Sequence, residues 1–271
     1  MNLVFLMIPK TAWALSQKNI LEFLRIIFEL EIFLVRRYAF GKLDDHAVHV
    51  SCGGRIYTLY LQTKNDISAL YEVFVMEAYI CKYSDPKYIL DLGANFGETA
   101  LYFHMIYPHA HVIAVEPAPK SFRRLQKTFH GAAFCTVVHA AISASNQEIP
   151  FYLNEENPMS NSILRRSSDD QLILVPGMTL RSLFRSQNMT RVDILKFDIE
   201  GGEDGLFLDL FPSEVANVII GEFHRDLVSV ELQQYLKSFK DMTVTVEGDG
   251  VGEKCIIKAE LNSAGVYQYS Q

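Results

Sequence analysis

From Lys87 onward the chain alternates short apolar runs with amphipathic segments, and that alternation leaves few folds open. Residues 88–92, 111–116, 134–139, 192–197 and 218–222 read as strands. Residues 98–106 and 119–129 read as helices between them. Runs that are apolar throughout suit strands buried on both faces, as a parallel sheet between two helical layers requires. Strands alternating with helices predict a doubly wound, mostly parallel α/β sheet. Near the end, residues 242–247 and 255–258 flank Gly248-Asp249-Gly250 and predict a closing antiparallel hairpin.

The first third follows a different pattern. Leu3 to Ile8 is an apolar run that Pro9-Lys10 cuts short, with no basic residue before it, so a secretory signal is not expected. Residues 19–38 predict a helix in which Glu22, Arg25, Glu29 and Arg36 form a narrow polar stripe. Each central charge opposes insertion across a bilayer by ~2.5–3.5 kcal/mol, so the wide apolar face is expected to pack on the rest of the protein. A homodimer interface is the second reading of that face and contact with a membrane surface the third. After a loop at Gly41-Lys42-Leu43-Asp44-Asp45, residues 47–52 and 55–61 flank Gly53-Gly54 as a β-hairpin. Asp66 is expected to cap a helix over residues 67–83. The expected organisation is therefore an N-terminal cap of helix, hairpin and helix over residues 1–86, followed by one α/β domain over 87–271. Within that domain, residues 149–175 break the rhythm as an insertion, with one added strand at 149–153 and a polar loop at 157–162.

Composition narrows the classes of partner. The formal net charge is -7, which opposes nucleic-acid binding, since that affinity rests on basic residues neutralising phosphates. Cys52, Cys81, Cys135 and Cys255 form no C-x-x-C pair and no zinc-ligand spacing, so free thiols and a cytoplasmic, reducing compartment are expected.

The ligand site is expected at the carboxyl ends of the strands. Asp91-Leu92-Gly93-Ala94-Asn95-Phe96-Gly97-Glu98-Thr99 joins a strand to a helix. Gly93 and Gly97 permit a sharp turn and close backbone approach. The G-x-x-x-G spacing differs from the G-x-G-x-x-G of dinucleotide sites, and Asp91 favours a cationic ligand over a pyrophosphate. Glu116, about 20 residues on, ends the next strand where an acid hydrogen-bonds ribose hydroxyls in related folds; Pro117 stops that strand.

These segments resemble the FkbM family of methyltransferases. The likeness runs in order from Asn65-Asp66-Ile67 and Glu77-Ala78-Tyr79, through Ile89-Leu90-Asp91-Leu92-Gly93-Ala94-Asn95-Phe96-Gly97 and Val115-Glu116-Pro117, to Ala140-Ala141-Ile142-Ser143 and Ser160-Asn161-Ser162. The most specific block is Asp193-Ile194-Leu195-Lys196-Phe197-Asp198-Ile199-Glu200-Gly201-Gly202-Glu203, followed by Ile220-Gly221-Glu222-Phe223-His224. One departure is Arg181 after Thr179-Leu180, where the family often carries Asp.

The resemblance implies a Rossmann-like class I methyltransferase fold, S-adenosylmethionine as cofactor and, most often, methylation of an oxygen on a glycan or natural product. Asp91, Gly93, Ala94, Asn95, Phe96, Gly97, Thr99, Glu116, Pro117 and Ala141 would bind the cofactor, with Asp66 and Glu77 from the approach segment. Asp91 would face the sulfonium. His224 is the expected general base, with Asp198 and Glu200 completing the catalytic set. A divalent metal on Asp198, Glu222 and His224, with Glu200 nearby, is the less favoured arrangement. Glu203 is expected to serve a helix dipole, and Lys196 to pair with one of the acids. The alternatives are a binding protein that keeps the fold without the reaction, and an NAD(P)-dependent oxidoreductase, which the glycine spacing opposes.

Overall fold

The computed structural model describes residues 3–41, 45–154, 161–248 and 252–262. The expected loop at 42–44, most of the polar loop at 157–162 and Asp249-Gly250 of the closing turn lie outside them. No helix among the described residues is long and apolar enough to cross a membrane.

The chain begins with α1 (Leu3–Leu15) and α2 (Ile20–Phe40), then the hairpin β1 (His46–Cys52) and β2 (Arg55–Leu61), then α3 (Lys64–Phe74). The α/β part runs β3 (Tyr88–Leu92), α4 (Glu98–Ile106), β4 (His111–Val115), α5 (Pro119–Thr128) and β5 (Cys135–Val138). A small sheet follows, of β6 (Ala141–Ile142), β7 (Glu148–Leu153) and β8 (Gln171–Met178). Then come α6 (Leu180–Ser186), β9 (Val192–Phe197), α7 (Glu203–Leu206), α8 (Pro212–Val215), β10 (Ala216–His224), α9 (Leu232–Leu236), β11 (Met242–Glu247) and β12 (Lys254–Leu261).

Seven strands form the main sheet in the order β11-β12-β10-β9-β3-β4-β5. β5, β4, β3, β9 and β10 are parallel, and β12 enters antiparallel to both β10 and β11. This order, with one reversed strand inserted beside its edge, is the Rossmann-like class I methyltransferase topology. The order reverses between β3 and β9, because β3 to β5 build one way and β9 onward the other. A crevice therefore opens at their carboxyl ends.

Alternation along the strands sorts the core into two layers. Ile89, Val112, Ala114, Ile194 and Ile220 face one side, with α4 and the whole N-terminal cap. Leu90, Leu92, Ile113, Val115, Leu195 and Ile219 face the other, with α6, α9 and β12. The cap thus shares its hydrophobic cluster with one face of the sheet.

Three expectations about the cap change. Pro9 does not end the first apolar run: α1 continues to Leu15. Ile8, Ala12 and Leu15 are buried while Pro9 is exposed, so the lost amide donor sits on the solvent side of the helix. Asp66 is not the cap of α3. Thr63 is, and Asp66 closes its capping box from the third position. That helix also stops at Phe74 rather than residue 83, and the chain continues irregularly through Glu77 at φ 53°. The helix over 19–38 is α2, capped by Asn19. It packs on α1 and β1 and leaves Leu21, Leu24, Phe28, Val35 and Tyr38 exposed. The insertion supplies β7 as expected, but also β8, which pairs with it antiparallel.

Candidate active site

The glycine loop after β3 is built to touch the end of β9. Gly93 has φ +77°, and a Cβ there would strike the backbone carbonyl of Asp198. Asp198 N–H donates to Leu92 O at 3.0 Å, which ties the two strand ends together. Four of the loop's amides are satisfied within the protein. Gly93 and Ala94 donate to Val115 O at 3.0 Å, Gly97 to Ala94 O at 2.8 Å, and Asn95 to Glu116 Oε2 at 2.8 Å.

A cleft opens at the carboxyl ends of β3, β4, β9 and β10. Of the residues expected to bind a cofactor, Gly93, Asn95, Thr99, Glu116, Pro117 and Ala141 line it. Ala94 and Phe96 are fully buried in the core instead, and Gly97 packs against Phe129 and Leu125. Asp66 is also elsewhere: its carboxylate takes the Gln62 and Thr63 amides and the Arg124 guanidinium, at 2.6, 2.9 and 2.9 Å. Glu77 is exposed outside the cleft. The approach segment contributes Glu72, Val73 and Tyr79 in their place.

Asp91 is corrected too. It is fully buried beneath the cleft and lies 3.1 Å from Lys196 Nζ. Lys196 also donates to Gly93 O at 2.9 Å. Burial pulls the lysine's pKa down, but the charges of Asp91 and Asp198 outweigh that and raise it. Asp91 is therefore matched by a cation and does not face a ligand.

The two ends of the cleft differ in chemistry. At one end Glu116 is buried and accepts from the Asn95 and Ala118 amides, both at 2.8 Å. Burial pushes its carboxyl up to about 7, against those two hydrogen bonds. Pro117, Ala140, Ala141, Ile142 and Phe151 form an apolar wall beside it.

At the other end Asp198, Glu200 and Glu222 converge with Glu72, Tyr79 and Lys254. The Tyr79 hydroxyl lies 3.2 Å from both Asp198 Oδ2 and Glu222 Oε1. Lys254 Nζ reaches Glu222 Oε2 at 2.6 Å, and Arg166 from the insertion reaches Glu200 Oε2 at 2.9 Å. Burial and the Asp198 charge push the Glu200 carboxyl up to about 8. Glu200 has φ 47° and Gly201 φ 95°, so the chain doubles back after β9 and returns Glu200 toward Asp198. Buried Ser162 fixes that turn by donating to Glu200 O at 2.7 Å.

His224 ends β10 but is buried behind these acids, not on the cleft wall. Its Nδ1 lies 2.7 Å from Glu203 Oε1, so Glu203 holds the imidazole as well as opening α7. Burial alone would lower the imidazole's pKa, yet Glu203, Glu222, Glu200 and Asp198 together push it up to about 11. The imidazole expected to act as the base is thus enclosed by acids, with Asp198 and Glu200 between it and the cleft. Asp198, Glu200 and His224 nevertheless present ligand atoms within 4.8 Å of one another. Glu222, named in the expected metal set, is not in that group; its Oε2 takes Lys254 at 2.6 Å, as Glu200 Oε2 takes Arg166 at 2.9 Å.

The Methyltransferase FkbM domain matches residues 91–248, more than half of the chain. The chain belongs to the FkbM methyltransferase family. Within the FkbM match lie the glycine loop, Glu116 and the acid block, whereas Glu72 and Tyr79 precede it. Among characterised relatives, Methyltransferase 1 of Beauveria bassiana is 23% identical over 59% of this chain and 70% of its own length. Methyltransferase sdnD of Sordaria araneosa is 25% identical over 53% of this chain and 69% of its own. The crystal structure of Methyltransferase FkbM from Methylobacillus flagellatus aligns with a TM-score of 0.43 at 13% identity, over 71% of this chain. This chain spans 54% of that protein. Membership of a methyltransferase family displaces the oxidoreductase alternative.

Sequence reasoning did not single out Glu72, Tyr79, Glu98, Arg166 or Lys254 for the site. Glu98 carried a signal, as the acid opening the helix after the glycine loop. Lys254 reaches the cleft, and Arg166 its Glu200, only through tertiary structure.

Proposed function

We propose that this protein transfers a methyl group from S-adenosylmethionine to a hydroxyl oxygen of a small-molecule or glycan acceptor. The observation that carries the reading is the two-ended cleft. Glu116 beside an apolar wall suits a ribose diol and an adenine, and the acid-lined end suits positive charge. The residues fit the cofactor in a second respect. Glu98 Oε2 and Asp198 Oδ1 are buried oxygens without a hydrogen-bond partner among the described residues, and both side chains line the cleft. A ligand bringing ammonium and sulfonium charge would favour their ionised forms, including that of Glu98, whose carboxyl burial otherwise pushes up to about 8.

When bound, S-adenosylmethionine supplies a methyl already activated on sulfur. The protein's work is positional: a displacement needs its nucleophile held in line at near-attack distance. Glu116 accepts the ribose hydroxyls, and Pro117, Ala141 and Ile142 exclude water around the base. The acceptor hydroxyl belongs at the Asp198–Glu200 end, where its proton can be taken up. His224 acts there through the carboxylates it holds, with Glu203 fixing its ring. Tyr79 and Lys254 orient Asp198 and Glu222. The polar insertion residue Asn161 on the cleft wall is suited to hydroxylated acceptors.

The test is incubation with isotopically labelled S-adenosylmethionine and a panel of hydroxylated glycans and small molecules. A product heavier by one methyl, carrying the label as a methyl ether, is the expected result. Label on nitrogen or carbon overturns the choice of oxygen, and absence of cofactor binding overturns the reading as a whole.

A further inference from the structure

We infer that Asp198, Glu200 and His224 form a binding site for one divalent transition-metal ion of the Mn²⁺-to-Zn²⁺ class, at the acceptor end of the cleft. The geometry around His224 Nε2 carries the inference. The side chain is 4% exposed, and three carboxylates surround its Nε2, with Glu222 Oε2 nearest at 3.5 Å. Nε2 lies 3.8 Å from Asp198 Oδ1 and 3.7 Å from Glu200 Oε2. Those separations are too long for hydrogen bonds. They fall within the roughly 4 Å that two ligands of one ion span when each bond is ~2.0–2.2 Å. Asp198 Oδ1, the oxygen facing that nitrogen, is itself buried without a hydrogen-bond partner among the described residues. An imidazole nitrogen and a carboxylate oxygen that accepts no hydrogen bond thus border one space, and the ligand atoms of Asp198, Glu200 and His224 lie within 4.8 Å of one another.

A second observation is independent of that space. His224 Nδ1 lies 2.7 Å from Glu203 Oε1, and the Glu203 side chain is fully buried. A carboxylate on the far nitrogen orients the ring, as it does for histidines that bind metals, and an ion would displace the proton that the imidazolium otherwise carries on Nε2. The backbone serves the same end. Glu200 adopts φ 47°, and Ser162 clamps its carbonyl. Strain of that kind in a residue other than glycine gathers at functional sites.

One imidazole with two carboxylates favours a borderline ion over the all-oxygen coordination typical of Mg²⁺ or Ca²⁺. Three protein ligands leave positions open, and Asp198 and Glu200 line the cleft, so those positions face it. The ion's proposed role, which rests on the methyl-transfer reading, is to bind the acceptor oxygen and make its proton easier to lose. Glu222 stays outside the set because the ligand atoms that lie within 4.8 Å of one another are those of Asp198, Glu200 and His224; Glu200 Oε2 also takes Arg166 at 2.9 Å.

The experiment uses the full chain freed of metal with a chelator, then titrated with Co²⁺ alone and followed by its visible absorption bands. Mn²⁺ alone, followed by electron paramagnetic resonance, is the parallel probe. Saturable binding at one equivalent is expected for the wild type. It should be lost in His224→Ala and in Asp198→Asn, each checked for folding by circular dichroism. Glu203→Gln should weaken it roughly 10- to 100-fold, as expected for a partner that orients a ligand. No saturable binding by the wild type overturns the inference, as does binding that both folded variants retain. Titration with S-adenosylmethionine in the chelated protein tests the cofactor reading separately, so the two can fail independently.

Discussion

Arg124→Met should destabilise this protein by about 3 kcal/mol without touching the cleft directly. Arg124 and Asp66 have side chains 2% and 1% exposed and meet at 2.9 Å. The guanidinium also donates to Tyr60 O at 3.1 Å, to Asn95 Oδ1 at 3.3 Å and to Ser121 Oγ at 3.4 Å, and sits 4.8 Å over the Phe96 ring. It therefore joins the cap, through β2 and α3, to α5 and the glycine loop. Removing one partner of a buried ion pair costs ~3–5 kcal/mol, because the other charge is left uncompensated. Here Asp66 keeps the Gln62 and Thr63 amides, which places the loss at the lower end. For a chain of this size, about 3 kcal/mol corresponds to a fall in Tm of roughly 6 °C. The assay is urea unfolding of Arg124→Met, Asp66→Asn and the double variant. In the double variant no unpaired charge remains, so its loss should be smaller than the sum of the single losses. A loss under about 1 kcal/mol in Arg124→Met, or strict additivity, would refute the assignment of this pair as the strut between cap and sheet.

Other outcomes follow from the same geometry. Burial pushes the Glu98 carboxyl from near 4.5 up to about 8. Between those values the unfolded chain has released a proton that the folded chain keeps, so stability falls as pH rises, by at most about 1.4 kcal/mol per pH unit from this group. Glu98→Gln should therefore gain stability over the wild type at pH 8 but not at pH 4.5, measured by unfolding at both; an equal difference at the two pH values would contradict this. Gly221 in β10 abuts Phe197, where an added Cβ would strike both its carbonyl and its ring. Gly221→Ala should cost about 1–3 kcal/mol through overpacking, and an unchanged unfolding midpoint would contradict it.

Legibility in the sequence followed the range of the interactions. The strands and helices of the sheet rest on local periodicity, and β3, β9 and β11 fall where their apolar runs place them. The hairpin of β1 and β2 was equally plain, since Gly53-Gly54 supplies two residues of positive φ. What failed was local grammar overridden by packing. Pro9 is carried inside α1 because buried Ile8, Ala12 and Leu15 hold that helix against its neighbours. The apolar run beyond Phe74 looks helical but leaves α3 and brings Tyr79 under the acids. The site was legible in its parts and not in its pairings. Asp91 looked like a ligand for a cation, and its cation is Lys196. Glu203 looked like a helix-dipole residue, and it holds His224. Asp66 and Glu77 belonged to a resembling segment whose contribution to the cleft comes instead from Glu72 and Tyr79. Contacts between distant parts of the chain leave no trace in spacing, so each acid's partner had to come from the fold.

The central claim is that the cleft holds S-adenosylmethionine with its ribose on Glu116. Calorimetric titration of the wild type and of Glu116→Ala with S-adenosylmethionine, with NADH as control, tests it most directly. The wild type should bind the adenosyl compound and not NADH. Glu116→Ala, still folded by its thermal transition, should bind roughly 10- to 100-fold more weakly, since hydrogen bonds to a charged group contribute ~1.5–3 kcal/mol. No binding by the wild type, or equal affinity in the two proteins, would contradict the account.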